Sequence, residues 1–308
     1  MKMLSQPTFT VAASFALLQI FKLLSLLITN RVVENILVIP FQLAAFLLPA
    51  YFYLGYNCGE EDDPLKGLRL RMPRVWQIPL ILSALLLLIC GNVLISLVFA
   101  GAGSLENGFT LYNTFVSGRM GGFFSVLFMI LAYAVLPAVC EEMVYRALLC
   151  RELEKYNVVV GIVLSSVFFA MLHFDIRLFP VYLFSGLLLA LTMYATGSSL
   201  ASVIVHMAFN LFGLFGQPYL NAFYSITGGT DGLFVFILCM LTILAAALFC
   251  GSAAKCYAVR SRRSNIPSRR LLPKIDRLTQ MLGRLLLCHT SIIAFLIYIA
   301  AVAIEAIV

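Results

Sequence analysis

Three short stretches of this sequence set chemically capable side chains inside apolar runs. The first is Glu141-Glu142-Met143-Val144-Tyr145-Arg146, which closes the run FFSVLFMILAYAVLPAVC opening at Phe123. The second is Phe168-Phe169-Ala170-Met171-Leu172-His173, and the third is His206-Met207-Ala208-Phe209-Asn210. An ionised group loses its water in hydrocarbon, so two carboxylates and an arginine in this setting call for partners or a function. Two of the three histidines, His173 and His206, lie in the same block; His289 is the third.

Helical spacing sorts these residues into faces. Glu142 and Arg146 are four apart and can pair along one face, which gives Glu142 a bracing role. Glu141 is rotated by about 100° from its neighbour and faces another direction, towards the helices that bear His173 and His206. The same spacing of four aligns Phe169 with His173, and His206 with Asn210. Pro137, four residues before Glu141, predicts a kink that loosens the backbone at this point.

A carboxylate, two imidazoles and a carboxamide around one water can hydrolyse an amide without a serine or cysteine nucleophile. Desolvation raises a glutamate's affinity for protons, which suits Glu141 to act as general base. His173 is assigned to position the water, and His206 with Asn210 to donate hydrogen bonds to the oxyanion. The expectation is a metal-free site. A zinc variant would use Glu141, His173 and His206 as ligands with water in the fourth position, although the sequence has no HExxH helix. Taken singly, each polar group also reads as a helix-packing hydrogen bonder.

The elements that must carry these residues are membrane helices. The chain has 308 residues, 62% of them hydrophobic and 11% charged, with a mean hydropathy of +1.00. That composition excludes an ordinary soluble domain and predicts an all-α, polytopic transmembrane helix bundle of about eight to nine spans. Candidate spans lie near 9–29, 34–56, 76–100, 121–145, 157–174, 178–196, 200–216, 232–252 and 288–307. The fifth and seventh are short, as suits helices packed inside a bundle. A straight helix from Gly121 to Tyr156 would exceed the bilayer, which predicts a bend after Arg146.

The net charge of +7 does not point to nucleic acid, because the basic residues fall between spans; anionic membrane lipids are the expected partner. The loop Gly59 to Trp76 carries Glu60, Glu61, Asp62 and Asp63, then Lys66, Arg69, Arg71 and Arg74. Arg151 and Lys155 follow the fourth span. A strongly basic loop follows the eighth, from Lys255 and Arg260 to Arg284. The opposite loops hold few positives, such as Arg31, Arg119 and Arg177. The positive-inside rule then puts the N-terminus in the cytoplasm. Residues 271–287 alternate Leu, Ile and Met with Arg and Lys, the pattern of an interfacial amphipathic helix. Lys22 and Glu305 interrupt apolar spans and are read as snorkelling groups. Eight cysteines show no CxxC pair or zinc-finger spacing, which predicts free thiols.

EEMVYR, FAMLH and HMAFN resemble the EExxxR, FxxxH and HxxxN motifs of the CPBP family, in the family's order. These are the CAAX-processing and bacteriocin-immunity (Abi) type intramembrane proteases, which include the prenyl-protein endopeptidase of eukaryotes. The resemblance covers roughly residues 120–215 and implies a glutamate-dependent intramembrane endopeptidase. It implies a catalytic Glu141, with His173, His206 and Asn210 completing the site, and Glu142, Arg146 and Phe169 supporting it. Because the family was long filed as metalloproteases, zinc stays open. The implied division is 1–119 as N-terminal helices with a cytoplasmic loop, 120–216 as catalytic core, and 217–308 as C-terminal helices with the basic loop. The implied substrate is a peptide or protein, lipidated or a bacteriocin precursor, and the implied setting a bacterial plasma membrane. Two other functions fit the same residues: non-catalytic self-immunity or scaffolding on this fold, and a transporter that uses the carboxylates as an ion site. The second lacks the inverted repeat and paired broken helices expected of it.

Overall fold

The computed structural model describes residues 3–57, 68–99, 123–228, 231–264 and 275–307, and every regular element among them is helical. In chain order the main helices are α1 (Phe9–Ser25), α2 (Arg31–Asn57), α3 (Ile78–Phe99), α4 (Val126–Glu154), α5 (Val158–Met171) and α6 (Phe179–Thr196). They continue with α7 (Ser199–Phe215), α8 (Gln217–Ile226), α9 (Asp231–Ser264), α10 (Ile275–Leu286) and α11 (His289–Ile307). Each of the nine expected spans has its helix. Five helices are long and apolar enough to cross a membrane, or up to seven if each of two bent pairs counts as one span; α1 and α5 are shorter apolar helices. The fold is the expected all-α bundle of apolar spans.

Two expected boundaries differ. Helix α4 does not break after Arg146; it continues to Glu154, with a π segment over Met143–Cys150. The polar end beyond Cys150 holds because it finds partners: Arg69 pairs with Glu154 at 2.8 Å, and Lys155 with Glu152. Helix α9 likewise outruns its apolar stretch to Ser264, so Lys255 and Arg260 belong to the helix rather than to a loop. No proline interrupts it before Pro267. The acidic residues 60–63, Lys66, Cys58, Arg119 and the basic residues 269–274 lie outside the described residues; the seven described cysteines are free thiols.

The chain divides into two compact units. One comprises residues 1–70, 140–176 and 266–308. In it α1 packs on α2 and α11, and the end of α4 packs on α5. Gly161 permits that last contact, because a Cβ there would stand 2.8 Å from Glu154 N and 2.9 Å from Cys150 O. Asn157 starts α5 by accepting hydrogen bonds from the N–H groups of Val159 and Val160 at 2.9 and 3.2 Å. Helices α1 and α11 meet at both ends. Thr8 and Thr290 share a 2.6 Å hydroxyl bond near their starts, and Lys22 pairs with Glu305 near their finishes. The two therefore run parallel.

The other unit comprises residues 71–139 and 177–265, with α3 packed against α6, α7 and α9. Asn92 on α3 and Ser185 on α6 exchange hydrogen bonds at 2.9 and 3.1 Å, joining two apolar helices by a buried polar pair. Gly197, at φ +69, ends α6 in the left-handed conformation that glycine adopts without strain. Ser198 then caps α7, its hydroxyl accepting from Ala201 N–H at 3.2 Å. This stop-and-start sets His206 about two turns into α7.

Candidate intramembrane catalytic site

Glu141 and Glu142 are the last residues of the α-helical segment Leu136–Glu142, and the π segment begins at Met143. A second π segment, Leu131–Val135, ends two residues before Pro137. Proline has no N–H to offer the carbonyl four residues back, and a shift to wider hydrogen-bond spacing is one way for a helix to absorb that. Where a kink was expected, the helix changes type. π segments are frequent at functional sites because they re-aim the side chains of one turn.

Glu142 and Arg146 are both fully buried and form an ion pair of 3.0 Å. The guanidinium carbon of Arg146 lies 3.9 Å from the centroid of the Phe169 ring, within cation–π range. Tyr145, also fully buried, meets the same ring edge-on at 5.7 Å. The turn that follows α5 brings His173 against Phe169 at 5.3 Å between centroids. Phe169 is therefore the hub that joins the acidic stretch of α4 to the histidine of α5. Glu141 is the more accessible carboxylate of the pair, 9% exposed where Glu142 is at 0%.

His173 follows the last turn of α5, and its Nδ1 stands 3.2 Å from the Phe169 carbonyl oxygen. A carbonyl only accepts, so Nδ1 carries the proton and the lone pair of the neutral ring sits on Nε2. That tautomer can hold a water or take its proton. The backbone turns sharply directly afterwards. Phe174 has φ +53, a rare conformation for a bulky residue. Its ring is held between Phe15 at 5.2 Å and Tyr298 at 6.2 Å. Packing of α1 and α11 around Phe174 thereby fixes where α5 ends and where His173 stands.

His206 is buried at 6% exposure in α7. One turn on, Asn210 donates through Nδ2 to the Ala134 carbonyl in the π segment Leu131–Val135, at 3.4 Å. A π segment disturbs the regular carbonyl pairing of its helix, and a polar side chain from a neighbouring helix can satisfy a carbonyl so released. Nδ2 has two hydrogens, so one is left for another acceptor. His206 and Asn210 belong to the unit of residues 71–139 and 177–265; Glu141, Glu142, Tyr145, Arg146, Phe169 and His173 belong to the other. Among the described residues no three His, Cys, Asp or Glu side chains form a group that could hold a metal ion.

Sequence reading gave Tyr145 no role, although it lies four residues after Glu141 and so on the same helix face; that spacing was the available signal. Phe174, Phe15 and Tyr298 left no such trace, since their contacts join residues far apart in the chain.

Apolar spans enclosing a sealed ion pair and a turn-end histidine define an integral membrane protein with a polar centre inside its helices. Residues 123–212 match the family model described as Type II CAAX prenyl endopeptidase Rce1-like. The matched segment contains all three motifs, so the resemblance to the CPBP family holds across it. No curated protein and no solved structure matches the chain.

Proposed function

We propose that this protein is an intramembrane endopeptidase in which Glu141 activates the water that cleaves a peptide bond. The observation that carries the reading is the Glu142–Arg146–Phe169–His173 chain of contacts, because it fixes a carboxylate-bearing turn and a correctly protonated imidazole within the segment that matches the endopeptidase family. Glu141 takes a proton from water as that water attacks the carbonyl carbon, and His173, through Nε2, holds the water in line. His206 and the remaining Nδ2 hydrogen of Asn210 donate to the tetrahedral oxyanion. On collapse the proton passes to the leaving amine. Glu142 and Arg146 hold the turn, and 120–216 serves as the catalytic core.

The mechanism needs no metal. One tightly bound zinc per chain in total metal analysis of active protein would overturn that part of it. The proposed substrate is a peptide or protein, lipidated like the substrates the family's name describes, or a bacteriocin precursor. The proposed setting is a bacterial plasma membrane with the N-terminus in the cytoplasm. Parallel packing of α1 and α11 supports that orientation, because it sets the start of α1 on the same face as the start of α11, next to Arg284.

The test is cleavage of a prenylated CAAX-type peptide by purified protein in lipid, read against Glu141→Gln. Loss of all measurable cleavage in a folded Glu141→Gln protein is the expected result. A second reading, a non-catalytic immunity or scaffolding protein, is favoured by the bracing contacts of Glu142 with Arg146 and of Asn210 with Ala134. It requires the biological effect to survive Glu141→Gln.

A further inference from the structure

A cleft of about 770 Å³ opens where the chain start meets the junction of α10 and α11, entirely within the unit of residues 1–70, 140–176 and 266–308. Its volume falls in the range of small-ligand pockets, about 300–1,000 Å³. Arg284 supplies the charge of its wall, His289, Cys288 and Tyr156 are its other titratable groups, and no carboxylate lines it among the described residues. None of the ion pairs among the described residues involves Arg284. A cation with no counter-ion among the described residues, in an otherwise partly apolar cleft, favours an anionic occupant.

The floor is built rather than incidental. Gln6 is 5% exposed, and its Oε1 accepts from Thr290 N–H at 3.2 Å and from the Thr290 hydroxyl at 2.6 Å. A backbone N–H can only donate, so the amide oxygen must face Thr290 and the NH2 end of Gln6 is what remains for a ligand. Thr8, 1% exposed, bonds Thr290 from the other side. The upper wall is apolar: Met281 and Leu285 come from α10, and Leu287 continues them outward.

Location selects among anions. The described end of helix α10 segregates its sides, with Gln280 and Arg284 on one and Met281, Leu282 and Leu285 on the other, as in helices that lie in the bilayer interface. That end, Gln280–Leu286, meets α11, an apolar helix of 19 residues, at a bend of 61°. An elbow between an interfacial helix and a membrane span falls at headgroup level. Tyr156, on the rim, is a residue type enriched at that level.

We propose that this elbow binds an anionic glycerophospholipid, its phosphate on Arg284, His289 and the Gln6 amide and its first acyl carbons on Met281, Leu285 and Leu287. The site is separate from the hydrolytic centre, and Glu141→Gln leaves it intact.

The test uses the purified full chain in detergent, titrated separately with short-chain phosphatidylglycerol, with phosphatidylcholine of the same chains, and with inorganic phosphate. Thermal unfolding and native mass spectrometry report binding. Phosphatidylglycerol is expected to bind, the other two far more weakly. Arg284→Ala is expected to weaken phosphatidylglycerol binding about fivefold, on the scale of one basic side chain at a charged membrane surface. Lys255→Ala, an exposed cation in the other unit, should leave it unchanged. Equal binding of the two lipids overturns the proposal, as does inorganic phosphate that competes as well as the lipid. So does an effect of Arg284→Ala no larger than that of Lys255→Ala. If Arg284→Ala does not fold, Met281→Trp decides: it fills the cleft without removing a charge and must abolish the preference for phosphatidylglycerol.

Discussion

Glu142–Arg146 and Lys22–Glu305 each set one carboxylate against one cation in otherwise apolar helices, and they differ in nearly everything else. The first links residues one turn apart on α4, with both side chains at 0% exposure and the guanidinium stacked on Phe169. The second joins α1 to α11, with side chains 51% and 44% exposed. Burial makes the difference. A sealed pair has surrendered its hydration, so each member depends on the other and on the groups packed around them. An open pair keeps alternative partners and holds little energy. The sealed pair therefore gives α4 a single arrangement of its acidic turn, which the open pair could not do.

Removing one member of the sealed pair should have the largest effect on stability. Arg146→Met is expected to cost about 3–5 kcal/mol, because it leaves the Glu142 carboxylate buried and uncompensated. The double variant Glu142→Leu with Arg146→Met should recover most of that loss, since an apolar pair of similar volume carries no desolvation penalty. Denaturant unfolding in detergent measures both. Recovery of stability without recovery of peptide cleavage would show that the pair is retained to orient Glu141. A double variant as unstable as Arg146→Met alone would remove the ion pair from the account.

Next in size come the contacts that join α4 to α5. Phe169→Leu should cost about 2 kcal/mol, combining a desolvated cation–π contact with lost packing. Gly161→Ala should cost about 1–3 kcal/mol, because its new methyl meets backbone atoms at 2.8 and 2.9 Å. The two separate on activity. Both displace α5 from α4, but Phe169→Leu also removes the ring against His173 and should lower kcat further. Equal loss of kcat at equal loss of stability would reduce Phe169 to a packing residue.

Spans were legible because a chain in lipid must satisfy its backbone internally, which leaves long apolar runs as the visible trace. The Glu142–Arg146 pair was legible because helical spacing of four is local. What escaped is non-local or carried by the backbone. The π segments at Leu131–Val135 and Met143–Cys150 shift hydrogen bonds by one residue without altering the apolar pattern, and only Pro137 hinted at the first. The left-handed Phe174 carries no glycine or asparagine to announce it, because packing by Phe15 and Tyr298 imposes it. The continuation of α4 to Glu154 depends on Arg69, 85 residues away. Gln6 and Thr290 are 284 residues apart, so no window of sequence could join them.

The smallest expected effect belongs to the open pair, and it tests the comparison from the other end. Helices α1 and α11 are tied at their starts by buried hydroxyl and amide groups and at their finishes by Lys22 and Glu305. Thr290→Val should cost about 1–3 kcal/mol, since it removes the acceptor of the buried Thr8 hydroxyl and one of the two donors to Gln6 Oε1. Glu305→Gln should cost under about 1 kcal/mol. Even that should vanish near 1 M salt, where the screening length falls to about 3 Å. Water or headgroups at the ends of α1 and α11 screen the pair, whereas hydrocarbon would not. A salt-insensitive loss in Glu305→Gln as large as that in Thr290→Val would mean that Lys22 and Glu305 face lipid tails. The second pair would then be as dependent on its partner as the first.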